Sequence, residues 1–393
     1  MSAKFASVAF ILVAAGSLAA QAQDTRYIVT RLGTDTVAIE RYTRSPGKLE
    51  GDVVLRNPRV QTYHYSSDLG ARGELKNFRL TARRADADPS APPRIQVVDT
   101  FEDSVAVIEV SRAGARDTAL SGRKTYRGRI AAQFPSEPPA YGIYEQILSS
   151  SGLKGDSVSY LLMGPGGGQV PAIILRRRGA DSVAFNSTFF PGWIEVARVD
   201  SRGRILGVNS LATTVKTVAE AAPTLDYDRV VSGWAAAEKA KGPLGQMSPP
   251  DTARATVGGA NLAVAYSRPL KRGRVIFGNV VPWNQVWRTG ANAATVFSTD
   301  KDLVFGSTVV PAGKYTLWTV PTPTGANLIF NSETGQWGTD YHADKDFARV
   351  PLATKQVSPP VEQFVIAVAP QGSGGVLRFS WDDKEFTAPF TVK

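Results

Sequence analysis

Residues 26–55, RYIVTRLGTDTVAIERYTRSPGKLEGDVVL, decide the fold class of this chain. Within them Arg26–Leu32, Val37–Thr43 and Leu49–Leu55 alternate apolar with polar side chains. Successive side chains of a strand point to opposite faces, so this period predicts three half-buried β-strands. Ser45-Pro46-Gly47 joins the last two with turn chemistry: proline presets φ and glycine accepts a positive one.

The same rhythm continues outward through Val60–Tyr65, Leu75–Ala82, Ile95–Val98, Ser104–Val110, Ser157–Met163, Val170–Arg176 and Ser182–Asn186. Trp193–Val199 and Arg204–Asn209 flank Asp200-Ser201-Arg202-Gly203 as a hairpin. Gly164-Pro165-Gly166-Gly167-Gly168 follows one strand and leads into another, so it reads as a hairpin tip rather than a phosphate loop. Short strands in succession predict antiparallel architecture, not a βαβ series. Two helices interrupt it. Tyr141–Ser149 is one; Asp226–Lys241 is the other, with Asp226 or Asp228 as cap and Val230, Val231, Trp234 and Ala235 as apolar stripe. Gly242-Pro243-Leu244-Gly245 stops the second helix, and Ser248-Pro249-Pro250 stiffens the break.

The expected organisation is a leader at 1–22, a β-rich unit at 23–245 ending in a helix, a linker at 246–251 and a second β unit at 252–393. Lys4, the apolar run Phe5 to Ala15 and Ala20-Gln21-Ala22 form a secretory signal pattern, cut after Ala22 so that the mature chain starts at Gln23. The apolar run falls short of the ~20 residues a spanning helix needs. Periplasmic or secreted location is the expectation. The chain lacks cysteine, which excludes disulfide staples, thiolate catalysis and cysteine metal sites. Its formal net charge is +10, spread over both halves, which favours loose attraction to anionic envelope surfaces. Nucleic-acid binding needs a clustered basic stripe with a recognisable motif, and neither occurs.

Residues 252–390 read as a second all-β unit, with strands at Ala253–Val257, Asn261–Tyr266, Thr295–Ser298, Lys314–Val320, Ala326–Asn331, Gln363–Ala369, Val376–Trp381 and Glu385–Phe390. Gly258-Gly259 makes a tight hairpin and Pro311-Ala312-Gly313 another turn. The fold class expected is therefore all-β, mainly antiparallel, with one or two short helices. A curved sheet or half-barrel is followed by a β-sandwich or jelly-roll-like unit.

An ordered set of motifs marks this second unit. Tyr266-Ser267-Arg268-Pro269 is followed by Gly273-Arg274, Ile276-Phe277-Gly278 and Val281-Pro282-Trp283. Val286-Trp287-Arg288-Thr289-Gly290-Ala291-Asn292, Pro311-Ala312-Gly313-Lys314-Tyr315 and Gln336-Trp337-Gly338 complete it. The set resembles the bacterial family called domain of unknown function 2911, a resemblance that implies no activity. Many relatives carry a glutamate after the asparagine, where this chain has Ala293. The strand rhythm of the first unit distantly resembles half-barrel folds of exported carriers that shelter lipid chains.

Between Asp251 and Asp300 there is no acid, yet Arg254, Arg268, Lys271, Arg272, Arg274 and Arg288 all lie there. Guanidinium forks bind carboxylate or phosphate bidentately and stack on indole rings. Tyr266, Arg268, Trp287, Arg288, Thr289, Asn292 and Trp337 are accordingly the candidate ligand-binding residues, for a glycan, a small anion or a lipid. The competing reading pairs Arg268 and Arg288 with Asp340, Asp344 or Asp346 and makes the tryptophans core.

Catalytic machinery is scarce. His64 and His342 are the two histidines, and no nucleophile elbow, Walker loop or dinucleotide fingerprint occurs. No cofactor is implied. His342 within Asp340-Tyr341-His342-Ala343-Asp344-Lys345-Asp346 could serve a divalent cation, but a solvated acidic turn is the favoured reading. Asp382-Asp383 and Glu385 are expected to face solvent. A non-enzymatic ligand-binding protein is thus the leading expectation. A hydrolase of envelope polymers using carboxylates near His342 or Asp382, and a structural or partner-docking protein, are the alternatives.

Overall fold

The structure, a computed structural model, describes residues 24–393 except 89, 103–104, 113–114, 117–121, 126–129, 132–139, 152–156, 163–171 and 188–193. The leader at 1–22 and the glycine run at 164–168 lie outside the described residues. Two antiparallel sheets and two short helices make up the rest.

The first sheet opens with β1 (Asp24–Leu32), β2 (Asp35–Ser45), β3 (Lys48–Leu55), β4 (Gln61–Asp68), β5 (Asn77–Arg84), β6 (Ile95–Glu102) and β7 (Val105–Arg112). The short β8 (Ala115–Arg116), β9 (Gly122–Thr125) and β10 (Ile130–Ala131) follow, and then α1 (Tyr141–Ser151). A meander of β11 (Ser157–Leu162), β12 (Ala172–Arg177), β13 (Ser182–Ser187), β14 (Ile194–Val199), β15 (Ile205–Asn209) and β16 (Val218–Ala222) completes it. β16 pairs with β1, with Tyr27 opposite Ala222, so the two ends of the unit meet mid-sheet. Among the described residues the strand order is open, running from β10 to β8, and only β10–β11 is parallel.

Alternation along β1 shows how the sequence places the layers. Ile28 packs into the main core with Tyr42, Leu49, Tyr65 and α1, while its neighbour Val29 joins Ile39, Val54 and Tyr227 on the opposite face. Helix α2 (Tyr227–Lys241) covers that opposite face through Val230, Val231 and Trp234. Asp226 is its cap, accepting the Arg229 N–H at 3.2 Å, and Gly242 at φ 81° ends it. Helix α1 fills the other side. The Glu40 carboxylate accepts N–H groups from Tyr141 (2.8 Å) and Gly142 (3.0 Å) at the start of α1 and the Tyr65 hydroxyl at 2.7 Å. Glu145 in α1 accepts from Arg26, from Tyr42 (2.9 Å) and from the Ile205 N–H (2.8 Å). Buried carboxylates thus tie helix to sheet.

Past residues 242–249 the second sheet runs β17 (Pro250–Val257), β18 (Ala260–Ser267), β19 (Thr295–Thr299), β20 (Leu303–Phe305), β21 (Thr308–Val310), β22 (Gly313–Pro321), β23 (Ala326–Asn331), β24 (Asp346–Gln371) and β25 (Gly374–Val392). Its order is β17-β18-β19-β22-β23-β24-β25-β20-β21. Gly258 and Gly259, both at positive φ (57° and 77°), form the two-residue turn between β17 and β18. The last two strands are longer than their alternation suggests: β24 pairs with β23 at its start and then with β25, with irregular register between Gln356 and Val365. Phe297, Phe330, Phe364, Phe379, Phe386 and Trp381 fill the core of this unit, each no more than 2% exposed.

Candidate functional site

The seven candidate residues fall into two groups with different surroundings. Trp287 lies in an extended stretch whose N–H and C=O each bond Thr319 at 2.8 Å. Extended backbone sends neighbouring side chains to opposite sides, so Trp287 and Arg288 diverge. Trp287 turns inward, its ring 5.2 Å from Phe364 and 5.9 Å from Trp381. Tyr266 joins the same cluster, edge-on to Phe364 at 5.8 Å and with its hydroxyl accepting the Ile366 N–H at 3.0 Å. Thr289 is fully buried and shares a 2.7 Å hydrogen bond with the Thr319 hydroxyl. These three side chains are framework.

Arg268 stands at the rim of that cluster. It pairs with Asp251 at 3.2 Å and donates to the Phe364 carbonyl at 3.2 Å. The expected partners Asp340, Asp344 and Asp346 are not used. Asp346 instead binds Arg349 at 2.7 Å and Asn331 at 3.0 Å, and Asp344 binds Lys345 at 3.1 Å. The physical reason is register: the β17–β18 hairpin puts Asp251 directly opposite Tyr266, two residues from Arg268.

Arg288, Asn292 and Trp337 form the second group. The Asn292 carbonyl accepts the Gly338 N–H at 3.0 Å, Ala293 bridges Trp337, and the Arg288 side chain crosses Gly338. Asn292 is exposed and Trp337 is 41% exposed, so this face presents an indole and an amide to solvent. Thr289 and Asn292 sit in left-handed backbone at φ 52° and 60°. That conformation is costly for a β-branched threonine and is held only where surroundings enforce it, as functional loops do.

Arg288 is half-buried, and among the described residues no carboxylate pairs with it. Burial alone pushes its pKa down to about 10, and its Nε has no hydrogen-bond partner. Buried guanidinium groups ordinarily sit against carboxylates, because an uncompensated charge is costly. Lys216, from the loop between β15 and β16 of the first sheet, senses the same positive field. Burial depresses its pKa first, and Arg288 and Arg274 depress it further. The sequence reading left Lys216 out. Its signal is faint, a lone cation in the acid-free run 210–219 with nothing to tie that run to the second unit.

The carboxylates proposed for hydrolysis are otherwise engaged. Asp382 is buried rather than solvent-facing, because residues 271–276 fold over it. It is ion-paired with Lys271 and accepts the Ile276 N–H at 3.4 Å. Glu385 binds Lys355 at 2.8 Å and the Ser380 hydroxyl at 3.1 Å. Burial raises its pKa, but those two partners outweigh burial and hold it below the usual range. His342 donates from Nδ1 to the Glu333 carboxylate at 2.7 Å and is exposed. Among the described residues no three metal-ligating side chains come together, and no helix is long and apolar enough to cross a membrane.

Residues 248–390 match the family described as a protein of unknown function, DUF2911, and the region before them carries no family assignment. No curated protein matches the sequence. A DUF1089 family protein from Pseudomonas aeruginosa is similar at 11% identity and TM-score 0.31 over 44% of this chain and 90% of its own. A β-barrel-like DUF1849 protein from Brucella abortus is similar at 10% identity and TM-score 0.31 over 50% of this chain and 94% of its own.

Proposed function

We propose that the chain is an exported bacterial envelope protein that binds a ligand bearing an anionic group and catalyses no reaction on it. The observation that carries this reading is Arg288: a half-buried guanidinium with no carboxylate partner among the described residues, beside the exposed Trp337 and Asn292. An indole supplies a flat apolar face, the amide supplies a donor and an acceptor, and the guanidinium supplies a two-pronged donor for an oxyanion. An acidic sugar, or a lipid headgroup, has those complements. The leader pattern at 1–22 supports a periplasmic or secreted location, and the net charge of +10 supports loose attraction to anionic envelope surfaces. The ion-paired states of Asp382 and Glu385 weigh against acid–base hydrolysis.

Thermal unfolding with trigalacturonate, and with the neutral cellotriose as control, tests the reading. Ligand at 100 times its Kd adds about 2.7 kcal/mol, so the Tm rises with the acidic sugar and the rise disappears in N292A/W337A. A Tm unmoved by acidic glycans, phosphates, carboxylates and lipids at high excess sinks the proposal.

A further inference from the structure

A cleft of about 200 Å³ lies where the two sheets meet, lined from the first sheet by Arg31, Gly33, Leu211, Lys216 and Val218 and from the second by Arg274, Val275, Asn279 and Val280. Three of these nine are cations and none is an acid. Arg31 and Lys216 make no ion pair among the described residues; the Lys216 ammonium donates to the Leu211 carbonyl at 2.6 Å. Arg274 donates from Nε to the Lys271 carbonyl (2.9 Å) and from Nη2 to the Leu270 carbonyl (2.5 Å), two of its five guanidinium hydrogens, and its side chain packs against Gly33. The nearby acids are committed elsewhere. Asp35 binds Arg272, and Glu362 accepts the Arg272 N–H at 2.8 Å, leaving Arg274 with only a distant counter-charge.

From this geometry we infer that the cleft between the sheets is a binding site for a phosphate monoester carried on a short apolar chain. Charge argues for a dianion: a single carboxylate leaves most of the Arg31, Lys216 and Arg274 charge uncompensated, and Arg288 adds to the same field. Apolar neighbours argue for the chain. Val275 is 63% exposed and Leu211 37% exposed at the mouth, where large apolar side chains have no structural use, and Val218 and Val280 continue the lining. The cleft is below the ~300–1,000 Å³ of drug-sized sites, which suits one headgroup and its first methylenes rather than a whole lipid. Ligand here bridges the two sheets, since Arg31 and Lys216 come from one and Arg274 from the other. Arg288 does not line this cleft, so the inference goes beyond the reading of the Arg288 face and stands or falls apart from it.

Isothermal titration of the full chain with inorganic phosphate, hexyl phosphate and hexanol tests it. Hexyl phosphate is expected to bind more tightly than inorganic phosphate, and hexanol not to bind. Lys216→Met and Arg31→Met are each expected to weaken hexyl phosphate about tenfold, the loss of one charge-assisted contact. The Lys216→Met protein without ligand loses the bond to the Leu211 carbonyl but also a mutually repelling charge, so it is expected to stay folded; a folded Lys216→Met protein that binds hexyl phosphate as tightly as wild type overturns the inference. Inorganic phosphate binding as tightly as hexyl phosphate removes the apolar chain and overturns the monoester assignment. Hexyl phosphate affinity unchanged in R31M/K216M but lost in N292A/W337A overturns the cleft while leaving the Arg288 face standing. No binding of either phosphate to folded wild type also overturns it, and the trigalacturonate melt then decides the broader reading alone.

Discussion

Arg288 runs across the bare face of Gly338, so closely that a methyl group on that Cα would lie 2.0 Å from Arg288 Cδ. Gly338 is not in left-handed backbone, so the demand for glycine there is one of space. Gly338→Ala is therefore expected to destabilise by about 1–3 kcal/mol through overpacking. In the Arg288→Ala background the cost should fall but not vanish, because the same methyl also lies 2.4 Å from the Asn292 carbonyl oxygen. A double-mutant cycle in urea checks it, and additive costs would show that the two positions do not touch.

Arg288 itself behaves differently from a buried ion-pair member. Breaking such a pair costs about 3–5 kcal/mol, whereas Arg288→Met removes an uncompensated charge and keeps the packing stem. Its unfolding free energy is expected within about 1 kcal/mol of wild type, or above it. A loss of the larger size in equilibrium denaturation means that a counter-charge holds the guanidinium.

Trp287 and Trp337 of the signature separate framework from face. Trp287 packs against Phe364 and Trp381, so Trp287→Ala should cost about 3–5 kcal/mol. Trp337 is 41% exposed, and Trp337→Ala should stay within about 0.5 kcal/mol while abolishing the acidic-sugar shift. Equal costs for both would place Trp337 in the core as well.

Glu40 makes stability depend on pH. Burial raises its pKa from 4.5 to about 7, against the opposing pull of the Gly142, Tyr65 and Tyr141 hydrogen bonds. A carboxyl with a raised folded pKa binds its proton more tightly in the native state. The Glu40 contribution to stability is therefore fully present below about pH 4.5 and is lost as pH climbs through 7, by on the order of 3 kcal/mol. Glu40→Gln should flatten that decline. Urea midpoints at pH 5 and pH 8 measure it, and an identical decline in the variant would assign the effect to another group.

Much of this was legible. Alternation marked most of the long strands, and Asp226 and Gly242 bounded α2 where cap chemistry put them. Even the Arg268–Asp251 pair lay within reach, since counting back from the Gly258-Gly259 turn sets Asp251 against Tyr266. Three features hid from local pattern. Val218-Ala-Glu-Ala-Ala222 has the composition of a helix yet pairs between β1 and β15, tertiary pairing overriding propensity. β24 carries three prolines: Pro351 pairs in register with Asn327, and Pro359 and Pro360 fall where the pairing with β25 is irregular, between Gln356 and Val365. Trp287 and Arg288 looked like one recognition unit because they adjoin, and extended backbone is what parts them. The cleft needed residues from both sheets, a distance no window along the chain spans.

The pairing of β1 with β16 also sets a schedule. Until Val218–Ala222 has been delivered, β1 has one bare edge, ready to pair with any extended chain it meets. Such distant partners make assembly slow. A chain released stepwise would thus keep its first sheet unzipped until nearly the whole of that unit had emerged, and fragments ending before residue 218 should clump rather than fold.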